Sequence, residues 1–347
     1  MENIRLMEYE PKSMLVVKNK EVSLPCLPVL DVHTHLRGAN PNNGICDMAA
    51  LIKQMDNNGV KCVVDLDGFY GAELDRSMRA KEGYEDSIIT FSTVDFSKAD
   101  DVDFEEKTRR EITRAHGLGV KGLKFLKSLG LGFKWADGTY IRPDDKRIQV
   151  IWQTAAELKM PVLIHIADPK AFFEPLDKYN ERIEELAGNP TWHFGKEEYY
   201  QFDEMMQMQE NLLTDNPNTT FILAHTGNCA EDLGFVSDLL CRHPNANVDI
   251  AARIQEMGRQ PYTAREFLIK HQDRVLFGTD TLLSADDARN PFENNRNYYE
   301  FLETYNEFFP ANAHEQQGRW NIYGVGLPLD VLQKIYWDNA INCIGGK

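Results

Sequence analysis

Strand-type and helix-type segments alternate almost without a break through residues 29–279 of this 347-residue chain, and that alternation restricts the possible folds more than any other feature. Short runs rich in Val, Ile, Leu and Phe mark strands that are buried on both faces. They occupy 29–35, 60–66, 88–95, 120–126, 161–167, 220–225, 247–252 and 275–279. Helix-type segments fall between them at 47–58, 72–82, 103–119, 144–159, 202–214, 232–243 and 262–271. In the first of these, Met48, Leu51, Ile52 and Met55 repeat at the spacing of a helix with one buried side. Eight strands joined by helices imply an α/β fold with a parallel sheet. Closure into a (β/α)8 TIM barrel uses all eight and leaves no open edge. Such a barrel takes about 250 residues, so the chain has room for it. A doubly wound open sheet is the alternative.

The strand ends separate these two folds. His33 and His35 stand one residue apart in Asp31-Val32-His33-Thr34-His35, so strand alternation puts both imidazoles on one face, a metal-ligand spacing. Three other strand-type runs also finish on one ligand-type residue: Val162-Leu163-Ile164-His165, Ile222-Leu223-Ala224-His225 and Phe277-Gly278-Thr279-Asp280. An open sheet shows its site at one switch point, whereas a barrel gathers the carboxyl ends of strands 1, 5, 6 and 8 around one mouth. Four converging ends therefore call for the ring.

Residues 1–28 read as a short N-terminal arm and the whole chain, 1–347, as a single barrel domain. Two connections are too long for plain βα loops. One is 170–200, which carries Phe172, Phe173, Trp192, Phe194, Tyr199 and Tyr200 and, lying after strand five on the catalytic face, is expected to cap the pocket. The other is 281–327, after strand eight, ahead of a helix starting near Pro328.

A hydrophobic content of 42% with 15 Pro and 23 Gly is that of an ordinary globular protein with a sizeable core. The net charge of −16 argues against nucleic acid or an anionic membrane as partner, but not against an anionic small molecule held by a few local cations. Six cysteines without a C-x-x-C pair support neither a zinc ribbon nor a redox motif, and free thiols point to a reducing compartment. With no apolar run of about 18 residues and no basic-then-apolar start, the chain reads as cytoplasmic. A homo-oligomer is compatible with all of this.

Three neutral imidazoles and a carboxylate suit Zn2+ or another borderline divalent ion, with a position left for water or substrate. His33, His35 and His165 are the expected ligands. Asp280 binds the metal, takes the proton of the attacking water, or does both. His225 sits just outside the ligand shell as acid or base.

Together, H-x-H on strand one, single histidines closing strands five and six, Gly-Thr-Asp ending strand eight and the tail Ile335-Tyr336-Trp337-Asp338-Asn339-Ala340 resemble the amidohydrolase superfamily. The resemblance is to its branch of TIM-barrel metal-dependent hydrolases that includes aminocarboxymuconate semialdehyde decarboxylase, and it spans residues 29–344. It implies that His33, His35, His165 and Asp280 are metal-associated, and gives His225 to catalysis or to a second ion. Lys124 stands where binuclear members such as phosphotriesterase carry a carbamylated lysine. The resemblance thus allows two ions, the alternative being an unmodified lysine in a mononuclear barrel.

Arg37 extends the first motif to H-x-H-x-R, similar to dihydroorotase, where that arginine holds a substrate carboxylate. A surface salt bridge is the other reading. Arg253, after strand seven, is placed at the mouth by the strand-end argument as a second anchor. Trp192 and His193 either line the pocket or hold the insertion together. Asp31 is an inward partner of the histidines or a plain polar residue low in the barrel. Asp65 and Asp67 reach toward the mouth without an assignable partner. His116, His243, His271 and His314 fall at helix ends or in loops.

Three functions follow as expectations. The first is hydrolysis of an amide, lactone or ester in a small carboxylated molecule by metal-activated water. The second is metal-dependent non-oxidative decarboxylation of an unsaturated or aromatic acid, with His225 handling protonation at carbon. The third is a metal-binding barrel without turnover.

Overall fold

The computed structural model describes residues 4–5, 8–283, 290–311, 318 and 320–345; His314 and part of the connection after strand eight lie outside them. Its centre is a ring of parallel strands: β1 (Val29–His35), β2 (Val60–Asp65), β3 (Ile88–Ser92), β4 (Gly122–Phe125), β5 (Val162–Ile164), β6 (Phe221–Leu223), β7 (Ala246–Asp249), β8 (Val275–Leu276) and β9 (Thr281–Leu282). Each strand pairs with its neighbour in sequence from β1 to β8, and β9 closes the ring on β1 through Thr34 opposite Thr281 and His35 opposite Leu282. The expected eighth strand, 275–279, is strand only at Val275–Leu276, and the chain pairs again just beyond it at Thr281–Leu282. β8 pairs with β7 and β9 with β1, and between them Asp31 accepts hydrogen bonds from the Thr279 amide (3.1 Å) and hydroxyl (2.6 Å), drawing that stretch off the ladder.

The seam between β8 and β1 has a further component. The Phe277 carbonyl accepts from the Val32 amide (2.9 Å), while the Phe277 amide donates to the Ile335 carbonyl (2.9 Å). Ile335 lies in a π-helical turn, Lys334–Asp338, that joins Leu329–Gln333 to Asn339–Ile344. Such wide turns break the regular i to i+4 bonding and free backbone groups for other partners. Asn339 adds a 2.7 Å bond to the Val275 carbonyl at the start of β8. Leu30, Cys62, Leu163, Ile222 and Leu276 come from strands on opposite sides of the ring and share one cluster with Ala340 and Ile344. They can meet only in its interior, so the C-terminal helix plugs the end of the barrel opposite the histidines.

The helices form where the apolar spacing places them, and polar residues fix several starts. Asp47 caps Met48–Asn57 by accepting from the Ala50 amide, Asp232 caps Leu233–Arg242 through Phe235, and Gln201 with Glu204 forms a capping box on Phe202–Asp215. Some expected boundaries shift. The run 88–95 stops as strand at Ser92, because the Thr93 amide turns to the Phe69 carbonyl and Asp95 caps a 3-10 turn. The segment 144–159 opens with a 3-10 turn before its helix, Gln149–Glu157. Among its described residues the arm, 1–28, forms no strand. Asn19 and Lys20 exchange backbone and side-chain hydrogen bonds with Asn306 and Glu307, which ties the arm to the end of helix Asn295–Glu303.

Candidate metal centre

His33 and His35 end β1 with their rings 5.6 Å apart, both buried. Each has one ring nitrogen committed to a buried carboxylate: His33 Nδ1 lies 2.8 Å from Asp249 Oδ2, and His35 Nδ1 lies 2.6 Å from Asp67 Oδ1. A carboxylate at Nδ1 fixes the tautomer with its proton there and leaves the Nε2 lone pair free for a cation. Both Nε2 atoms face the same oxygen, Asp280 Oδ1, at 3.4 and 3.6 Å. Two imidazole nitrogens and a carboxylate oxygen gathered this closely are the donor set that a borderline divalent ion takes.

His225 stands next to His33, with ring centroids 5.0 Å apart, and His165 packs edge-on to His225 at 4.3 Å. The Nδ1 of His225 bonds to the Ala251 carbonyl at 2.8 Å, and its amide to Asp249 Oδ1 at 2.8 Å, so Asp249 orients two histidines at once. His165 Nε2 comes within 3.2 Å of Asp168 Oδ1, a carboxylate that also pairs with Lys127. Lys124, on β4, brings Nζ to 3.0 Å from His33 Nε2. All six expected metal-associated residues therefore lie at one end of the ring; His33, His35 and Asp280 bring ligand atoms within 4.8 Å of one another, as do His33, His225 and Asp249, whereas His165 belongs to neither group.

Electrostatics suit neutral ligands. Burial, with Lys124 beside it, holds His33 well below its usual range, and burial with His165 and Arg253 does the same for His225. Burial lowers His165 too. Lys124 is pushed down to about 8 by burial. For Asp280 burial acts upward, but His33, His35 and Lys124 outweigh it and hold the carboxylate below its ordinary value. Asp249 is raised to about 6 by burial.

The backbone turns sharply to deliver these groups. His225 (φ +57°), two residues past β6, and Asp280 (φ +62°), immediately before β9, are non-glycine residues in the left-handed region, a conformation tolerated where surrounding bonds over-determine it. The Asp280 amide donates to the His33 carbonyl at 2.8 Å, which pins its carboxylate over the two imidazoles. Gly278 sits in a tight space: a Cβ there would lie 3.0 Å from His33 Cβ and crowd the imidazole's backbone position.

A cavity of about 570 Å3 opens above the cluster, bordered by Lys127, Asp168, Arg182, Trp192, His225, Arg253 and Asp280. Trp192 and Arg253, both expected near the mouth, line it. Arg253 Nη1 bonds to the Ala252 carbonyl (2.6 Å). Trp192 stacks on Phe172, and Lys127 Nζ sits 5.1 Å over its ring while pairing with Asp168. His193 is turned to the Glu174 carbonyl. Arg37 is placed differently from the other anchors. It is buried against Phe69, bonded to Glu73 (2.9 Å) and to the Pro41 and Asn43 carbonyls, and does not border the cavity. Asp31 bonds to the His33 amide and to Thr279 rather than to an imidazole, and burial raises it to about 7. Asp65 pairs with buried Lys81 and accepts from the Leu36 and Asp67 amides.

Sequence reasoning missed Asp249 as a histidine partner and left Asp67 unassigned. The signal was an acidic residue at the end of a strand otherwise made to be buried. Lys127 and Asp168 carried no comparable mark.

Comparison with known proteins follows the same line. The amidohydrolase family profile matches residues 31–345. No curated protein sequence matches. Among solved structures, a 2,6-dihydroxybenzoate decarboxylase in complex with 2,6-dihydroxybenzoate superposes with TM-score 0.57 at 14% identity, over 92% of this chain and 100% of the other. A candidate amidohydrolase from Staphylococcus aureus gives 0.57 at 15% identity, over 92% and 100%. A candidate 2-pyrone-4,6-dicarboxylic acid hydrolase from Pseudomonas putida gives 0.51 at 12% identity, over 92% and 98%. At these identities the likeness is one of fold.

Proposed function

The chain belongs to the amidohydrolase family, and from that premise we propose that it is a metal-dependent hydrolase cleaving an amide, lactone or ester in a small carboxylated molecule. The observation carrying this reading is the convergence of His33 Nε2 and His35 Nε2 on Asp280 Oδ1 at 3.4 and 3.6 Å. His33, His35, His165 and Asp280 would hold a divalent ion, Zn2+ in the first instance. When bound, the ion supplies a water of lowered pKa and polarises a carbonyl. Asp280, kept ionised by its neighbours, receives the water's proton. His225, whose Nδ1–H is donated to the Ala251 carbonyl, presents an unprotonated Nε2 that takes up the proton Asp280 has received and passes it to the leaving group. Arg253 offers the fork that holds the substrate carboxylate, Trp192 the apolar wall, and the segment 170–200 the cover that keeps bulk water out. Arg37, already engaged by Glu73, supports the loop after β1. A cytoplasmic location accords with six free cysteines, and no helix among the described residues is long and apolar enough to cross a membrane.

One observation favours a second reading, metal-dependent decarboxylation. His225 Nε2, unprotonated while Nδ1–H is bonded to Ala251, can take a proton from water and deliver it to carbon, and an aromatic-acid decarboxylase is among the similar folds. In a mononuclear form Lys124 would stay unmodified; in a binuclear form Lys124 would be carbamylated, and His165 and His225 would hold the second ion. The test is metal content and intact mass of the purified protein, followed by lactones, N-acyl amino acids and unsaturated carboxylic acids assayed with and without chelator. Loss of turnover with chelator and its return with Zn2+ is expected. Activity indifferent to chelation overturns the mechanism, and release of CO2 in place of hydrolysis selects the second reading.

A further inference from the structure

Two elements of the mouth are held by one phenol outside the metal cluster. Tyr298, in the helix Asn295–Glu303 that follows β9, is buried with its ring edge-on to Phe277 of the β8 seam (5.7 Å). Its hydroxyl accepts from the Ala252 amide at 2.8 Å and donates to the Thr279 carbonyl at 3.3 Å. Ala252 immediately precedes Arg253, and Thr279 immediately precedes Asp280. Both bonded sites adjoin left-handed backbone at non-glycine residues, Ala252 itself (φ +52°) and Asp280 (φ +62°). Neither conformation is one that an L side chain keeps unless its surroundings impose it. Ala252 and Thr279 each lie three residues past Asp249 and Leu276, the last paired positions of β7 and β8, so this hydroxyl is a direct tie between the two loops beyond the end of that ladder.

We infer that Tyr298 is a positioning residue that locks Arg253 and Asp280 at a fixed separation, and so sets the span between the carboxylate anchor and the metal-associated end of the substrate site. This rests on the roles given above to those two residues. The phenol's single proton is spent on Thr279 and its acceptor side on Ala252, so it acts through them. Burial also raises the phenol well above its usual range, so it stays protonated and keeps both bonds.

The test is Tyr298→Phe, which keeps the ring against Phe277 and removes only the tie. Three readouts separate the possibilities: Co2+ titration followed by its visible spectrum, benzoate affinity of the Co2+-loaded protein, and hydrogen exchange at Ala252 in the metal-free protein. The expected result is Co2+ affinity lower by about ten-fold, in the range for outer-shell partners, with an altered spectrum. Weaker benzoate binding and loss of protection at Ala252 should accompany it, while amides of β2 to β5 are unchanged. Wild-type spectrum, benzoate affinity and Ala252 exchange in the variant overturn the inference. If the unaltered protein takes up no Co2+, the metal reading itself fails. Ala252 exchange then decides the tie alone: protection lost in the variant supports it, and protection kept overturns it.

Discussion

At the scale of single residues, the site depends on carboxylates that touch the histidines from behind. Asp249 bonds to the His33 ring and to the His225 amide, and Asp67 performs the first of these tasks for His35. Asp249→Asn keeps the shape but removes the charge and offers either an amide donor or a neutral acceptor to His33. Metal affinity measured by chelator competition should fall about 10- to 100-fold, with the fold intact by circular dichroism. Unchanged affinity would show that Asp249 serves only the β7 turn. The histidines were legible in sequence because each closes an apolar run. Asp249 was not, because one strand-end carboxylate looks like any other until the ring brings β7 beside β1, and 216 residues separate it from His33.

At the scale of elements, the outer helices are joined by polar contacts that titrate. His271 caps Pro261–Lys270 and meets Ser237 of Leu233–Arg242, with Nε2 and Oγ 2.8 Å apart. Burial, with Lys270 and Arg274 adding to it, lowers this imidazole to about 4. The unfolded chain takes up a proton below about 6.5, whereas the folded one resists until about 4. His271 therefore contributes full stability above pH 6.5 and loses it progressively as pH falls toward 4. The drop in Tm between pH 7 and pH 5 should be smaller in His271→Gln than in the unaltered protein. Equal drops would place the acid sensitivity elsewhere. Element order and type were readable from periodicity. The split of the last strand was not, because it follows from Asp31 capturing Thr279, a contact across 248 residues.

For the whole molecule, the ring depends on a segment far from the chemistry. The C-terminal helix buries Val331, Leu332, Ile335, Tyr336, Ala340 and Ile344. Burying these side chains is worth on the order of 10 kcal/mol, as much as the entire net stability of a typical domain, about 5–15 kcal/mol. A chain ending at Leu327 should lack a cooperative thermal transition and any Co2+ spectrum. A sharp transition near the full-length Tm would show that the ring closes without the plug. The tail carried part of the family resemblance in sequence, but its π turn had no signature there, since the turn is defined by where the Ile335 carbonyl points.

That carbonyl couples distant parts of the sequence. It lies at position 335, yet it accepts from the Phe277 amide, three residues before Asp280. Any change that shifts the turn at 334–338 is therefore felt in the stretch leading to the mouth, and the two ends of the barrel are mechanically linked through one hydrogen bond.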